Sequence, residues 1–305
     1  MLHFIIKRLA QSVLTILGVL TASFFLVRLS GDPTSLLLPT EASDADIANL
    51  RAALGLDQPL WVQFGTFLVD AAQGDFGQSL RQHTSALGLV IERLPATLEL
   101  ALTAFVLGTG LAFAAGLAIR LSGSPRLRAT LMWLSFVRQA IPTFWFGLLM
   151  ILLFSVNLRW LPSLGRGGPQ HLILPAITLA TYELALYLRL FNAAFGEQQS
   201  QDYVRTAYAK GQTRAKIIIR HMLPNALLPL VTIAGINLGV LLGGTVVTET
   251  VFSWPGVGRL IVQSVSQRDY PVVIAGVLVI SLVFVVVNLV IDLLYAVLDP
   301  RVRLS

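Results

Sequence analysis

Six long apolar stretches dominate the pattern along this chain. They run over about 9–29, 95–120, 131–155, 172–194, 225–250 and 272–296. Each reaches the roughly 20 residues that a helix needs to cross a bilayer. The first, Leu9 to Leu29, is too long for the roughly 7–15-residue core of a signal peptide and lacks a small-residue cleavage site. It reads as a retained first span. Two of the stretches carry small residues at every fourth position: Ala104, Gly108, Ala112 and Gly116 in the second, and Gly235, Gly239 and Gly243 in the fifth, with Gly244 alongside. Such stripes let helix backbones approach closely in lipid. They serve either general packing or a sliding surface beside a substrate path.

The polar segments between the spans differ in character. Residues 30–94 have helical patterns of their own. Ser43–Leu54 places Ile47, Leu50 and Leu54 at spacings of three and four, with Ser43 as a candidate N-cap. Leu60–Ala71 places Leu60, Phe64, Phe67 and Leu68 on one side, and Gly55, Pro59, Gly74 and Gly77 punctuate the segment. Its three arginines face eight acidic residues. It reads as a small helical cap, which divides the chain into a first span (1–29), a cap (30–94) and a five-span core (95–305).

Composition agrees. The chain is 55% hydrophobic and 12% charged, with a mean hydropathy of +0.75, more apolar surface than a soluble fold of this length can bury. The formal charge of +6 first suggests nucleic acid, but its distribution suggests orientation instead. With the N-terminus inside, the cytoplasmic segments hold twelve basic residues and the two short outer loops hold four, Arg159, Arg166, Arg259 and Arg268. This is the positive-inside bias. Both termini are therefore expected in the cytoplasm and the cap outside. The absence of cysteine excludes disulfides and thiolate chemistry.

Against this background residues 202–224, DYVRTAYAKGQTRAKIIIRHMLP, are unusual: five bases and one acid in a helix-forming island between spans. Tyr203–Lys210 contains good helix formers. Gly211 permits the positive φ that ends a helix. Thr213 is placed to cap a second helix, Thr213–Met222, whose Ile217, Ile218 and His221 can pack back on the body. Pro224 and Pro229 restrict the chain where it re-enters the membrane. An orienting loop needs the charge but neither the paired helices nor the hinge, so the hairpin reads as a docking surface on the cytoplasmic face.

The run Tyr203-Val204-Arg205-Thr206-Ala207, then Ala209-Lys210-Gly211 and, after a second helix, Leu223-Pro224, resembles the coupling segment of permease subunits of bacterial ABC importers in the dipeptide/oligopeptide/nickel family. In the general family form the first three motif positions are Glu-Ala-Ala. Here they are Arg205, Thr206 and Ala207, and His221 stands where isoleucine is usual. Further strings extend the resemblance along nearly the whole chain, in order: GDP (31–33), LGLDQPLWVQF (54–64), GDFGQSL (74–80), RLPATLELAL (93–102), HLILPA (171–176), ETVFSWPGVGRL (249–260), RDYP (268–271) and DLLYAVLDPRVR (292–303). The resemblance implies an all-α integral membrane protein with six transmembrane helices of ABC importer type I, in the bacterial inner membrane. It also implies an ATPase-docking role for Asp202, Tyr203, Val204, Arg205, Thr206, Ala207, Ala209, Lys210, Gly211, Leu223 and Pro224. The implied partners are a second homologous permease, two cytoplasmic ATPases that bind ATP and magnesium, a periplasmic or lipid-anchored substrate-binding protein, and membrane lipid, with no nucleic acid. Di- or oligopeptides are the expected cargo. Nickel or a nickel chelate is the alternative, since FSVNLRWLP (154–162) suits that sub-branch too.

Charged residues at membrane depth are costly and call for a role. Glu183, Arg138, Glu249 and Asp292 are candidates for a translocation path or gate, and Trp254 joins them from the outer loop. A structural Glu183–Arg138 pair is the plainer alternative. Arg28 and Arg189 lie near enough to the spans' ends to snorkel. Trp254 is expected either as an interfacial anchor or as part of a gate, beside an apolar stripe of Val257, Leu260, Ile261 and Val265. No phosphate-binding loop, HExxH or nucleophile elbow occurs, so no ATP site, cofactor or catalysis is expected in this chain. His83 and His171 could meet on the outer side and touch a metal, but scattered histidines are more often structural or solvated, and no metal site is expected. A self-sufficient, ion-coupled secondary carrier is the rival of a different class. It predicts inverted repeats and ion-binding groups at mid-depth, and neither stands out in the sequence.

Overall fold

The computed structural model describes residues 2–29, 43–53 and 55–298. The GDP string, Leu54 and the terminal Arg301 and Arg303 lie outside the described residues. In chain order the helices are α1 (Leu2–Leu29), α2 (Asp44–Ala53), α3 (Leu60–Ala72), α4 (Ala86–Ser122), α5 (Pro125–Ala140), α6 (Thr143–Met150), α7 (Pro169–Gln199), α8 (Asp202–Ala209), α9 (Arg214–Ile217), α10 (Leu223–Val251), α11 (Val257–Ser266) and α12 (Tyr270–Leu298). Wider π-type turns extend α6 over Ile151–Asn157 and join α9 to α10 over Ile218–Met222. Five of these helices are long and apolar enough to span a bilayer by themselves, and α5 with α6 makes a sixth, broken span.

The break corrects the expected continuous helix over 131–155. α5 and α6 meet at 103°. Pro142 has no N–H for the helical ladder and its ring disfavours helical backbone in the preceding residue. Ile141 is accordingly extended, at φ −89° and ψ 122°. Ser124 starts α5 by accepting from the Leu127 amide (3.3 Å), with Pro125 in the first turn. The second span also starts earlier than its apolar pattern implied: α4 begins at Ala86 and carries Pro95 inside it.

The chain forms two compact units. One comprises residues 1–95 and 256–285, the other 96–255 and 286–305. In the first, Ala86 and Val90 of α4 pack with Val257 and Leu260 of α11 and with Val272, Ala275 and Val279 of α12. Of the expected α11 stripe, Val265 departs: it is exposed, and Ser264 is buried in its place. The carboxylate of Asp269, just before α12, accepts from the Ser79 hydroxyl (2.5 Å) and the Leu80 amide (3.0 Å). Phe64 and Phe67 of α3 pack on Phe24 of α1, with ring centroids 5.2 and 5.4 Å apart.

The second unit is organised around α7, which contributes to three buried clusters. The small-residue stripe of α4 faces it. A Cβ added to Gly108 would lie 2.6 Å from Cβ of Glu183 and 2.8 Å from the Ala180 carbonyl oxygen, so only glycine permits this approach. Ala104 and Ala112 are buried along the same line. The α10 stripe behaves differently: Gly235 abuts Ile291, whereas Gly243 and Gly244 face open space.

Candidate functional site

The hairpin between α7 and α10 is built from two opposed faces. Val204 and Ala207 of α8, Ile217 of α9, and Ile218 and Met222 of the π turn are buried against Phe191, Ala194 and Phe195 of α7 and Ala226 and Leu230 of α10. Arg205, Thr206, Tyr208, Ala209, Lys210, Gly211, Arg214, Lys216 and Arg220 are exposed. Helical spacing accounts for most of this division: positions 204 and 207 share one side of α8, 205, 206 and 209 fall on the other, and Tyr208, one turn beyond Val204, stands exposed at the edge between them. Asp202 and Arg205 form a loose, exposed pair at 3.6 Å, a type that adds little stability.

A Schellman turn sets the direction of the hairpin. Gly211, at φ +72°, donates to the Tyr208 carbonyl (2.9 Å), and Gln212 donates to that of Ala207 (3.2 Å). The chain then runs extended through Thr213, whose backbone starts α9 but whose side chain makes no cap hydrogen bond. That corrects the expected cap. His221 also departs from expectation, since its Nε2 pairs with Gln212 Oε1 (2.9 Å), tying the two arms together. The π turn ends where Leu223 donates to Ile218 instead of to the carbonyl four residues back. Pro224 follows in the first turn of α10, where its ring would crowd the Arg220 carbonyl in a normal α-helix. The wider turn removes that crowding.

Two arginines fix the hairpin to the core. Arg120, near the end of α4, donates from Nη2 to the main-chain and side-chain oxygens of Asn192 on α7, each at 2.6 Å, and its guanidinium lies over the Phe195 ring. Arg214 of α9 donates to the Arg120 carbonyl (3.0 Å) and lies against Gly123. On the α7 side, Tyr203 donates to Gln198 Oε1 (2.6 Å). Sequence reasoning missed Arg120 and Asn192, which carry no local signal, and Tyr208. The last could have been found: it is an aromatic residue three positions beyond Arg205, next to the basic residues of the hairpin.

The path and gate candidates fall into separate places. Arg138 is buried at the α5–α6 break, where Nε donates to Thr181 Oγ1 (2.9 Å), Nη1 to Ile141 O (3.1 Å) and Nη2 to Thr178 O (2.8 Å), over the ring of Phe146. It thus satisfies the main chain at the break and does not pair with Glu183. Glu183 sits on α7 beneath α4, its Oε2 buried without a hydrogen bond. Tyr187, one turn along α7, neighbours it, and Asn237 of α10 neighbours Tyr187.

At the far end of α10, Glu249 is fully buried and accepts from Thr97 Oγ1 of α4 (2.7 Å). Trp254 is 1% exposed and donates from its indole nitrogen to the Ala96 carbonyl (2.8 Å). An interfacial anchor keeps its ring at the water boundary, so that expectation is corrected. Beside it Glu99 pairs with Arg166 at 2.7 Å, and Gly165 donates to the Phe252 carbonyl (2.9 Å). These contacts hold the 158–168 loop against α4 and the end of α10. Asp292 lies on α12, its side chain outside those described. Among the described residues no group of three or more His, Cys, Asp or Glu side chains could hold a metal ion.

Comparison with known proteins places the whole chain. Residues 104–304 match the family described as binding-protein-dependent transport system inner membrane component, and residues 1–101 match that described as its N-terminal membrane component. The glutathione transport system permease protein GsiC of Escherichia coli K12 is 40% identical over 304 residues, covering 99% of each chain. The protein of the same name in Salmonella typhi matches to the same extent. Among solved structures, the inward-facing MetNI methionine ABC transporter gives a TM-score of 0.55 at 19% identity, covering 69% of this chain and 96% of that one. An amino acid ABC transporter crystallised with histidines gives 0.52 at 18% identity, covering 70% and 94%. Six apolar spans, the hairpin and these matches agree: the chain belongs to the inner-membrane permease subunits of ABC importers of the peptide/nickel type, and is a multi-pass protein of the bacterial inner membrane.

Proposed function

We propose that this permease moves short peptides inward by alternating between outward- and inward-open shapes. It does so beside a second, homologous permease, driven by two cytoplasmic ATPases that hold the ATP and magnesium. A periplasmic or lipid-anchored binding protein delivers the cargo. The positive-inside bias supports cytoplasmic termini, a periplasmic cap and a hairpin that faces the ATPases. The coupling assignment rests on the two-sided hairpin: its exposed basic and aromatic face is free to be docked, while its buried face is continuous with the packing of α7 and α10. Force applied at Tyr208 or Lys210 would reach both spans without deforming a loop. The Thr97–Glu249 and Glu99–Arg166 contacts supply a gate at the opposite end of α4 and α10.

The peptide cargo is supported by the match to permeases named for transport of glutathione, itself a small peptide. The test is uptake into proteoliposomes that contain the complete importer and its binding protein. ATP-dependent entry of labelled glutathione, dipeptide or oligopeptide is expected. Entry of nickel and no peptide would overturn the cargo. Cargo accumulation by this chain alone under an ion gradient would overturn the ATPase-driven mechanism in favour of a secondary carrier.

A further inference from the structure

α3 has three faces, and the function proposed above uses none of them. The first packs on α1 through Phe64 and Phe67, which meet Phe24. A second carries exposed Thr66, Asp70 and Gln73, polar groups at spacings of four and three. Between them runs an exposed apolar strip, Trp61, Gly65, Val69 and Ala72, with Trp61 77% and Val69 56% exposed. A helix that projects into water has no reason to display tryptophan and valine at helical spacing beside a separate polar strip.

The depth of α3 follows from its partner. Phe24 lies in the last turns of α1, a span whose Phe25, Leu26 and Leu29 are themselves exposed, Leu29 by 83%. In a span, exposed leucine and phenylalanine face lipid. α3 is packed at that level, so its apolar strip extends the lipid-facing surface of α1. At 13 residues, α3 is only about 20 Å long, too short to cross the bilayer. Its start is held firmly as well: the side-chain Nε2 of Gln63 donates to the Leu56 and Gln58 carbonyls, at 3.2 and 2.7 Å.

We propose that α3 lies in the plane of the membrane surface, in the leaflet at the C-terminal end of α1. Trp61, Val69 and Ala72 enter the headgroup–acyl boundary, and Thr66, Asp70 and Gln73 face water. Tryptophan suits this depth because its ring is apolar and its N–H is polar. The sector pattern is that of an interfacial amphipathic helix. The proposal commits to lipid as the occupant of the strip; its rival is a protein partner that docks there from the aqueous side. It rests on the membrane placement of α1 and is independent of cargo and ATPase coupling.

The chain has no cysteine, so an introduced cysteine is the single site on it that takes a nitroxide label before it is assembled with unlabelled partners. Labels at Trp61→Cys, Val69→Cys, Thr66→Cys and Asp70→Cys would be read in the complete importer in lipid nanodiscs. Collision with oxygen, which partitions into lipid, would be compared with collision with a water-soluble nickel chelate. An oxygen-to-chelate accessibility ratio severalfold higher at 61 and 69 than at 66 and 70 is expected, unchanged when the binding protein is added. Equal ratios at all four positions would overturn the proposal. So would labels at 61 and 69 that the chelate reaches freely and the binding protein then shields, which would assign the strip to protein docking. Labels at 61 and 69 shielded from both reagents without the binding protein would also overturn it.

Discussion

Arg120 holds Asn192 by two hydrogen bonds from a single nitrogen, one to the main-chain and one to the side-chain oxygen, across 72 residues of sequence. The contact joins the end of α4 to α7 directly above the buried face of the hairpin. Arg214 then reaches the Arg120 carbonyl from the hairpin itself. One residue therefore serves both links: its guanidinium joins α4 to α7, and its carbonyl receives the hairpin. Charge-assisted hydrogen bonds contribute about 1.5–3 kcal/mol each when one partner is removed. Arg120→Ala should lower the thermal unfolding midpoint of the purified permease. It should also reduce ATP-dependent uptake more than Arg126→Ala, which alters a neighbouring charge of the same sign. Arg120→Lys should recover only part of this, since an ammonium can reach the Asn192 oxygens but cannot lie flat over the Phe195 ring.

Gly211 provides a second test. Its φ of +72° would cost a side chain about 1–2 kcal/mol. Nothing lies within 4 Å of a Cβ built there, so the penalty is conformational and not a clash. Gly211→Ala should insert normally and lose part of its coupling, seen as a lower ratio of transport to ATP hydrolysis. Gly211→Pro cannot adopt positive φ and lacks the N–H that bonds Tyr208, so the Schellman turn opens. Co-purification with the ATPases should be lost while membrane insertion is retained. Undiminished co-purification of Gly211→Pro would sink the docking assignment.

Much of this architecture was legible in the sequence, because in lipid the apolar pattern must run unbroken for the length of a span. The hairpin was legible for the opposite reason, as a patterned polar island where lipid forbids polarity. What escaped were relationships set by three-dimensional neighbours. The α5–α6 break needs the extended Ile141 before Pro142, yet Pro95, Pro175 and Pro229 stand inside continuous helices. A proline alone thus does not locate a break. Arg138 and Glu183 look complementary in sequence, but Arg138 finds three oxygens of its own at the break and Glu183 faces Tyr187. Trp254 resembles an interfacial residue by type. It is buried because α10 ends in a turn at Ser253, φ +51°, that points the indole back toward Ala96.

The glycines of α4 separate packing from flexibility. Gly108→Val would drive Cβ to 2.6 Å from Glu183 Cβ and 2.8 Å from the Ala180 carbonyl, and backbone cannot yield as a flexible side chain does. The variant should express poorly and elute as aggregate in detergent size exclusion. Gly110→Ala, two residues away with nothing within 4 Å, should match the parent or exceed it slightly, because alanine is the better helix former. Equal damage from both would mean that α4 needs glycine for bending and not for its approach to α7.

Ser79 and Asp269 connect two strings, GDFGQSL and RDYP, that lie far apart in the sequence. The Asp269 carboxylate is 2% exposed and accepts from the Ser79 hydroxyl and the Leu80 amide. Asp269→Ala would leave the buried Ser79 hydroxyl and the half-buried Leu80 amide without this acceptor, a loss of about 1–3 kcal/mol for the buried group. Asp269→Asn retains one acceptor oxygen for the Leu80 amide or the Ser79 hydroxyl, but its NH2 finds no acceptor at Ser79, whose oxygen already accepts from the Arg81 and Gln82 amides. Thermal unfolding of the purified permease should therefore rank parent above Asp269→Asn, and Asp269→Asn above Asp269→Ala. Ser79→Ala should fall near the asparagine variant, because it removes one donor while the Leu80 amide still satisfies the carboxylate in part. If Asp269→Ala unfolded no earlier than Asp269→Asn, the loops around 79 and 269 would be held by the packing of α4, α11 and α12 and not by this carboxylate.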